Sequence, residues 1–228
     1  MNTFDPAATV FACRHGQSRG NTARAEAEAS GLLDVASNCG DADLPLTALG
    51  REQAEWLGRK IASLPTAQQP TRILCSPHRR TLETADGIIR HGYANRRIAF
   101  SLDRRLTPKA FGVLEGLTRK GVAERFPQLA AERERVGRFH FCPPGGESRC
   151  DVVLRVRDFL HDLRRRHAGE RVLLVTHQIV INALGYLLMA SDQDPLSTND
   201  DGWVPNARLF AFQLGETSTV VEDTAAAA

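Results

Sequence analysis

The segment RVLLVTH at residues 171–177 is apolar at nearly every position, and it runs across Gln178 into a second apolar run, IVINALGYLLM, at 179–189. A strand apolar on both faces needs a helical layer on each side, which is the geometry of parallel sheets. This feature predicts an α/β fold, a three-layer α/β/α sandwich with a largely parallel central sheet.

Other segments fit that frame. TVFAC (9–13), RILC (72–75) and RIAFSL (97–102) read as further strands, and ARLFAFQL (207–214) as a last one. From Thr47 a helical run places Leu49, Ala54, Trp56, Leu57 and Ile61 near one face and closes at Pro65. A second helix follows Ser76-Pro77, with Gly92 as its expected C′ residue. After a Ser148 cap, Val152, Val153, Val156, Phe159, Leu160 and Leu163 repeat at helical spacing, ending before Gly169. Residues 22–43 hold no period and read as an irregular excursion able to cover a site. Residues 104–147, with Pro108, Gly112, Gly116, Gly121 and Pro127, read as an elaborated wall that turns helical toward Val136. One domain over 1–228, carrying these two insertions, suits 228 residues of 42% hydrophobic content. The tail after 215 has too little apolar content to be expected as ordered.

Charge and cysteine usage narrow the function classes. Lys and Arg total 29 against 27 Asp and Glu, a net charge of +2, so neither nucleic acid nor a membrane surface is an expected partner. No run approaches the roughly 20 apolar residues that span a bilayer, and the opening MNTFDPAATVFA lacks a secretory pattern, so a cytoplasmic location is expected. Cys13, Cys39, Cys75, Cys142 and Cys150 are odd in number and lack CxxC spacing, which argues against a disulfide framework and a zinc site. Metal-independent action without a cofactor is expected, because no carboxylates or histidines cluster at ligand spacing. Oligomeric state is not legible.

Ligands of open α/β sheets bind beyond the carboxyl ends of the strands. There the sequence places Arg14-His15-Gly16, Ser76-Pro77-His78-Arg79-Arg80 and Thr176-His177. Arginines and histidines converging on one crevice suit a phosphoryl group, since each charge pair near 4 Å contributes about 4 kcal/mol at an effective dielectric of 20. A small phosphorylated substrate is the expected partner. Cys13 to Arg19 also fits the CxxGxxR loop of cysteine-dependent phosphatases, with Cys13 as nucleophile. That rival has Ala12 and Gly20 where its family carries His and Ser or Thr, and it leaves Arg80 and His177 unexplained.

Six ordered blocks carry a wider resemblance: RHGQSRGN (14–21), DLPLTALGREQA (43–54), SPHRRTLETA (76–85), LTPKAFGVLEGLT (106–118), CPPGGES (142–148) and VLLVTHQIV (172–180). Together they resemble the histidine phosphatases of the phosphoglycerate mutase-like branch, and the later blocks are similar to the bisphosphatase half of the bifunctional fructose-2,6-bisphosphate enzyme. The resemblance implies that His15 is a nucleophile forming a phosphohistidine, with Arg14, Arg80 rather than Arg79, and His177 holding the transferring group. Asn21 and the amide of Gln178 could add neutral donors. Guanidinium charges near His15 fit this assignment, because they favour the neutral imidazole that must attack phosphorus. A mutase would use the same intermediate. The length between Gly116 and Gly145 is closer to the phosphatases.

The family places a Glu general acid four residues before the Gly of its FGxxEG-like block, where this chain has Pro108. Such an acid contributes about 10² to 10⁴ in rate. Three readings stay open: Asp103 or Glu115 supplies the proton, the substrate carries an activated phosphoryl group, or the protein binds phosphate without turnover. His78, His91, His140 and His161 have no expected role, and the basic run 164–167 suits a helix C-terminus.

Overall fold

Side chains of β1 (Thr9–Arg14) alternate between two helical layers. Val10 and Ala12 pack into one apolar cluster, Phe11 and Cys13 into another. The computed structural model describes residues 9–37, 39–94, 96–188, 204–213 and 220–222. In chain order after β1 come α1 (Arg19–Ala29), α2 (Ala48–Ser63), β2 (Arg72–Cys75), α3 (Arg79–Gly92), β3 (Ala99–Leu102), α4 (Arg119–Arg125), α5 (Pro127–Val136), α6 (Arg149–Arg166), β4 (Val172–Thr176), α7 (Gln178–Leu188), β5 (Leu209–Gln213) and β6 (Val220–Glu222).

Among the described residues six strands form one sheet in the order β3-β2-β4-β1-β5-β6. The first four neighbours run parallel, and β5 lies antiparallel to β1 and to β6. The expected α/β/α sandwich is the fold found. Helices α6 and α7 cover one face, where Val152, Val156, Phe159 and Leu163 meet Leu174 and Phe210; α2 and α3 cover the other, where Leu57, Ile61 and Ile88 meet Ile73 and Leu173. Burying each such side chain stabilises the fold by about 1.5–3 kcal/mol. The central strand β4 is buried along its whole length, as its composition predicts.

Register sets the site. Arg14 pairs with Thr176 and Cys75 with Val175, so the residues that follow, His15, Ser76 and His177, leave the sheet side by side at one edge. The wall has its own small core of Leu114, Leu117 and Phe141, flanked by Val122, Phe126 and Leu129. No helix among the described residues is long and apolar enough to cross a membrane.

Several expectations need correction. Residues 19–29 form a helix rather than part of an irregular excursion, started by a reciprocal capping box between Ser18 and Asn21. Its surface is nearly all polar, with only Ala27 buried, so no apolar period announces it. Leu49 is 46% exposed, outside the packed face of α2. Gly92 closes α3 as its last helical residue, and its bare Cα lets Gly58 approach: a Cβ there would lie 2.8 Å from the Gly58 oxygen. The tail supplies a short edge strand, Val220–Glu222, and the third strand starts two residues later than expected, at Ala99.

Candidate active site

The loop after β1 is held from three sides. The His15 N–H donates to the Thr176 carbonyl at 3.0 Å, the Gly16 N–H to Thr84 Oγ1 at 3.0 Å, and the Thr47 N–H to the Gln17 carbonyl at 2.9 Å. His15 is thereby buried, only 4% exposed, at the floor of the crevice. Its Nδ1 lies 2.7 Å from the Gly16 carbonyl oxygen, an acceptor only. Nδ1 therefore carries the proton, and Nε2 keeps its lone pair. Burial first, then the charges of Arg14 and Arg80, push the His15 pKa well below the usual range and keep the ring neutral.

Arg14 donates through Nη1 to the Val204 carbonyl at 2.6 Å, and burial followed by the charge of Arg80 lowers its pKa to about 10. The His177 ring meets that of His15 edge-on at 5.2 Å, and its Nε2 lies 2.9 Å from Ser76 Oγ. Burial first, then electrostatic coupling to His15 and the charge of Arg80, push the His177 pKa well below the usual range and keep that ring neutral as well. Arg80 reaches the same crevice from the first turn of α3, its side chain 7% exposed. The buried Nε of Arg14 and Nδ1 of His177 have no hydrogen-bond partner, a state normally avoided in protein interiors. Two guanidinium groups and two buried polar atoms without partners lie around a neutral imidazole, a set of donors and charges suited to an anion. Among the described residues no three His, Cys, Asp or Glu side chains gather as a metal site requires.

A model of the histidine phosphatase superfamily (branch 1) matches residues 10–224. The chain belongs to that superfamily. A phosphoglycerate mutase-like protein of Arabidopsis thaliana, AT74H, is 31% identical over 68% of this chain and 53% of its own length. The mouse 6-phosphofructo-2-kinase/fructose-2,6-bisphosphatase 1 is 25% identical over 86% of this chain and 36% of its own. The chain thus spans about half, or about a third, of these curated relatives. Among solved structures, mycobacterial glucosyl-3-phosphoglycerate phosphatase Rv2419c in complex with VO3 superposes with a TM-score of 0.68 at 25% identity, covering 95% of this chain and 97% of that one.

Other expected residues of this superfamily member are placed as follows. Asn21 caps α1, where its Oδ1 accepts from the Ser18 N–H and from Asn206 Nδ2 at 3.2 Å. Gln178 opens α7 directly behind His177. Asp103 is committed elsewhere: its carboxylate caps the turn at 104–106 and pairs with Arg105, which also binds Asp158 and Asp162. Glu115 is exposed on the wall. Pro108 sits in a segment clasped by Arg155, which donates to the carbonyls of Arg105, Thr107 and Pro108 and to Glu147. Cys13 is fully buried, and burial followed by its coupling to Cys75 pushes its thiol well above the ordinary range, which disfavours the thiolate that the cysteine-dependent reading needs.

Three residues of the site escaped the sequence reading. Asn206 Nδ2 donates to the His15 carbonyl at 3.0 Å. His78 stands 5.1 Å from the His177 ring; its place two residues before Arg80 was the signal. Asp41 lies on Arg80: Nη2 meets Oδ2 at 2.9 Å, and Nη1 meets the Asp41 carbonyl at 2.6 Å. No local pattern marks Asp41, which reaches the site from the loop between α1 and α2.

Proposed function

We propose that this chain is a phosphomonoester hydrolase that works through a phosphohistidine on Nε2 of His15. One observation carries the reading: Nδ1 of His15 donates to the Gly16 carbonyl, which leaves the Nε2 lone pair as the only one available in a ring kept neutral by burial and by Arg14 and Arg80. Arg14 and Arg80 stabilise the phosphoryl oxygens as charge develops on them, and His177 Nδ1 supplies a further contact from the buried side. The Asn21 carboxamide and the Gln178 amide add neutral donors. The first displacement forms the N–P bond as the P–O bond to the leaving group breaks; water then attacks phosphorus and frees His15. A relative named as a phosphatase and solved with VO3 supports an oxyanion in such a pocket. The reading predicts an alkali-stable, acid-labile phosphoenzyme when the chain is quenched during turnover of 4-nitrophenyl phosphate. His15→Ala would lose both label and turnover, and a label elsewhere, or turnover that survives in His15→Ala, would refute it. Net transfer of the group to a second oxygen of the same substrate, with no release of inorganic phosphate, would make the chain a mutase.

A further inference from the structure

We propose that Asp41 is the proton donor to the leaving group, the role for which position 108 offers only proline. The inference rests on the phosphohistidine reading above. His15 lies on the floor of the crevice at 4% exposure, and an in-line displacement expels the leaving group on the opposite side, toward the mouth. Asp41 is the carboxylate bonded to Arg80 and lies on its more open side: its side chain is 40% exposed, against 7% for the Arg80 guanidinium that holds it. Two bonds from Arg80, one to the carbonyl and one to Oδ2, fix both backbone and carboxylate of Asp41 beside the group that would bind the phosphoryl oxygens. His78 Nε2 lies 3.5 Å from the same Oδ2 and acts as a positioning residue. What separates Asp41 from the sequence candidates is its partner: it is bonded to Arg80, whereas Asp103 is bonded to Arg105 and Glu115 lies on the wall.

Substrate and carboxylate meet on one guanidinium. In the free chain Asp41 is ionised, because its contact with His78 and its pairing with Arg80 outweigh burial. A phosphate monoester entering as its monoanion offsets the Arg80 charge, gives its proton to the Asp41 carboxylate, and leaves the phosphoryl group as a dianion on Arg14 and Arg80. The Nε2 lone pair of His15 then forms the N–P bond, the P–O bonding pair leaves on the alcohol oxygen, and that oxygen takes the proton from Asp41. In the second displacement the Asp41 carboxylate takes a proton from the attacking water as the N–P bond breaks. The product phosphate then takes that proton from Asp41 and leaves as its monoanion, so charge balances in both steps, His15 returns neutral and Asp41 returns ionised.

The test is kcat/KM of the full chain for 4-nitrophenyl, phenyl and alkyl phosphates, in wild type and Asp41→Asn. Asn keeps an acceptor for Arg80 and has no acidic proton to transfer. The wild-type rate is expected to depend weakly on leaving-group basicity. Asp41→Asn is expected to lose at least about 10²-fold on alkyl phosphates and less than about tenfold on 4-nitrophenyl phosphate, with Asp41→Glu recovering part of the alkyl rate. An equal loss on all three esters, no loss at all, or a wild-type dependence as steep as that of Asp41→Asn would overturn the role. Phosphoenzyme trapping is run alongside on both proteins. If wild type forms no phosphohistidine, the underlying reading fails; if it forms one and the losses are uniform, only the assignment of Asp41 fails. Thermal unfolding of Asp41→Asn separates either result from misfolding.

Discussion

A Cβ atom on Gly16 would stand 2.2 Å from the Gly50 carbonyl oxygen, and one on Gly50 would stand 2.0 Å from that of Gln17. The histidine loop and the first turn of α2 touch backbone to backbone, with no room for a methyl group. Gly50→Ala is expected to cost about 1–3 kcal/mol in urea unfolding and to lower kcat/KM, because the loop must move to admit the added carbon. Wild-type stability in that variant would show that the contact is not tight.

Asn206 holds the His15 carbonyl and the Asn21 side-chain oxygen at once. Asn206→Ala should reduce kcat about tenfold, the equivalent of one or two hydrogen bonds, while Tm changes little. Steady-state kinetics at saturating substrate reads the effect. An unchanged kcat would place Asn206 outside the machinery.

Arg155 clasps three carbonyls of the wall and the Glu147 carboxylate, which in turn accepts from the Ala110 N–H. Arg155→Ala leaves these acceptors to water and frees the segment around Pro108. Limited proteolysis is expected to cut near residues 104–112 in the variant before the wild type, and KM is expected to rise more than kcat falls.

His15 and His177 both have lowered pKa values in the folded chain, burial being the first cause in each. The unfolded chain takes up their protons near 6.5, the ordinary value, while the folded chain does not until a lower pH. Stability from these groups is therefore complete above that value and falls as pH drops below it, by at most about 1.4 kcal/mol per pH unit for each histidine. Urea unfolding of wild type should show this decline, and His15→Gln should show a shallower one. The Asp41 contribution falls in a separate window, below the usual 3.8, because its contact with His78 and its pairing with Arg80 outweigh the upward effect of burial.

Cys13 faces the core between β1 and the α2–α3 layer. Iodoacetamide on the native chain is expected to modify the exposed Cys39 and Cys142 before Cys13, and Cys13→Ala is expected to keep the phosphoenzyme. Loss of the label in Cys13→Ala, with folding intact, would revive a thiolate nucleophile.

The parts of this protein legible in its sequence are those governed by local chemistry. Strand β4 is written in a run of apolar residues, α6 in its spacing and Ser148 cap, and the strand-end motifs deliver Arg14, His15, Arg80 and His177 to one crevice. What stayed hidden depends on partners far along the chain. Helix α1 rests on a cap and on contacts with the wall, such as Arg24 to the Leu117 carbonyl. Strand β6 exists because β5 offers an edge. Asp41 and Asn206 enter the site across 39 and 191 positions, respectively, and nothing in their neighbours announces it.

The separate core of the wall has a consequence for how selectivity can change. Leu114, Leu117 and Phe141 pack among themselves and their helices, apart from both apolar clusters of the sheet. Substitutions there perturb a local packing unit while the register that aligns His15 with His177 is left alone. On the proposed phosphohistidine reading, the wall is a packing unit separate from the strand ends that carry His15 and His177, so a wall grafted from a relative is a direct test of whether it sets specificity.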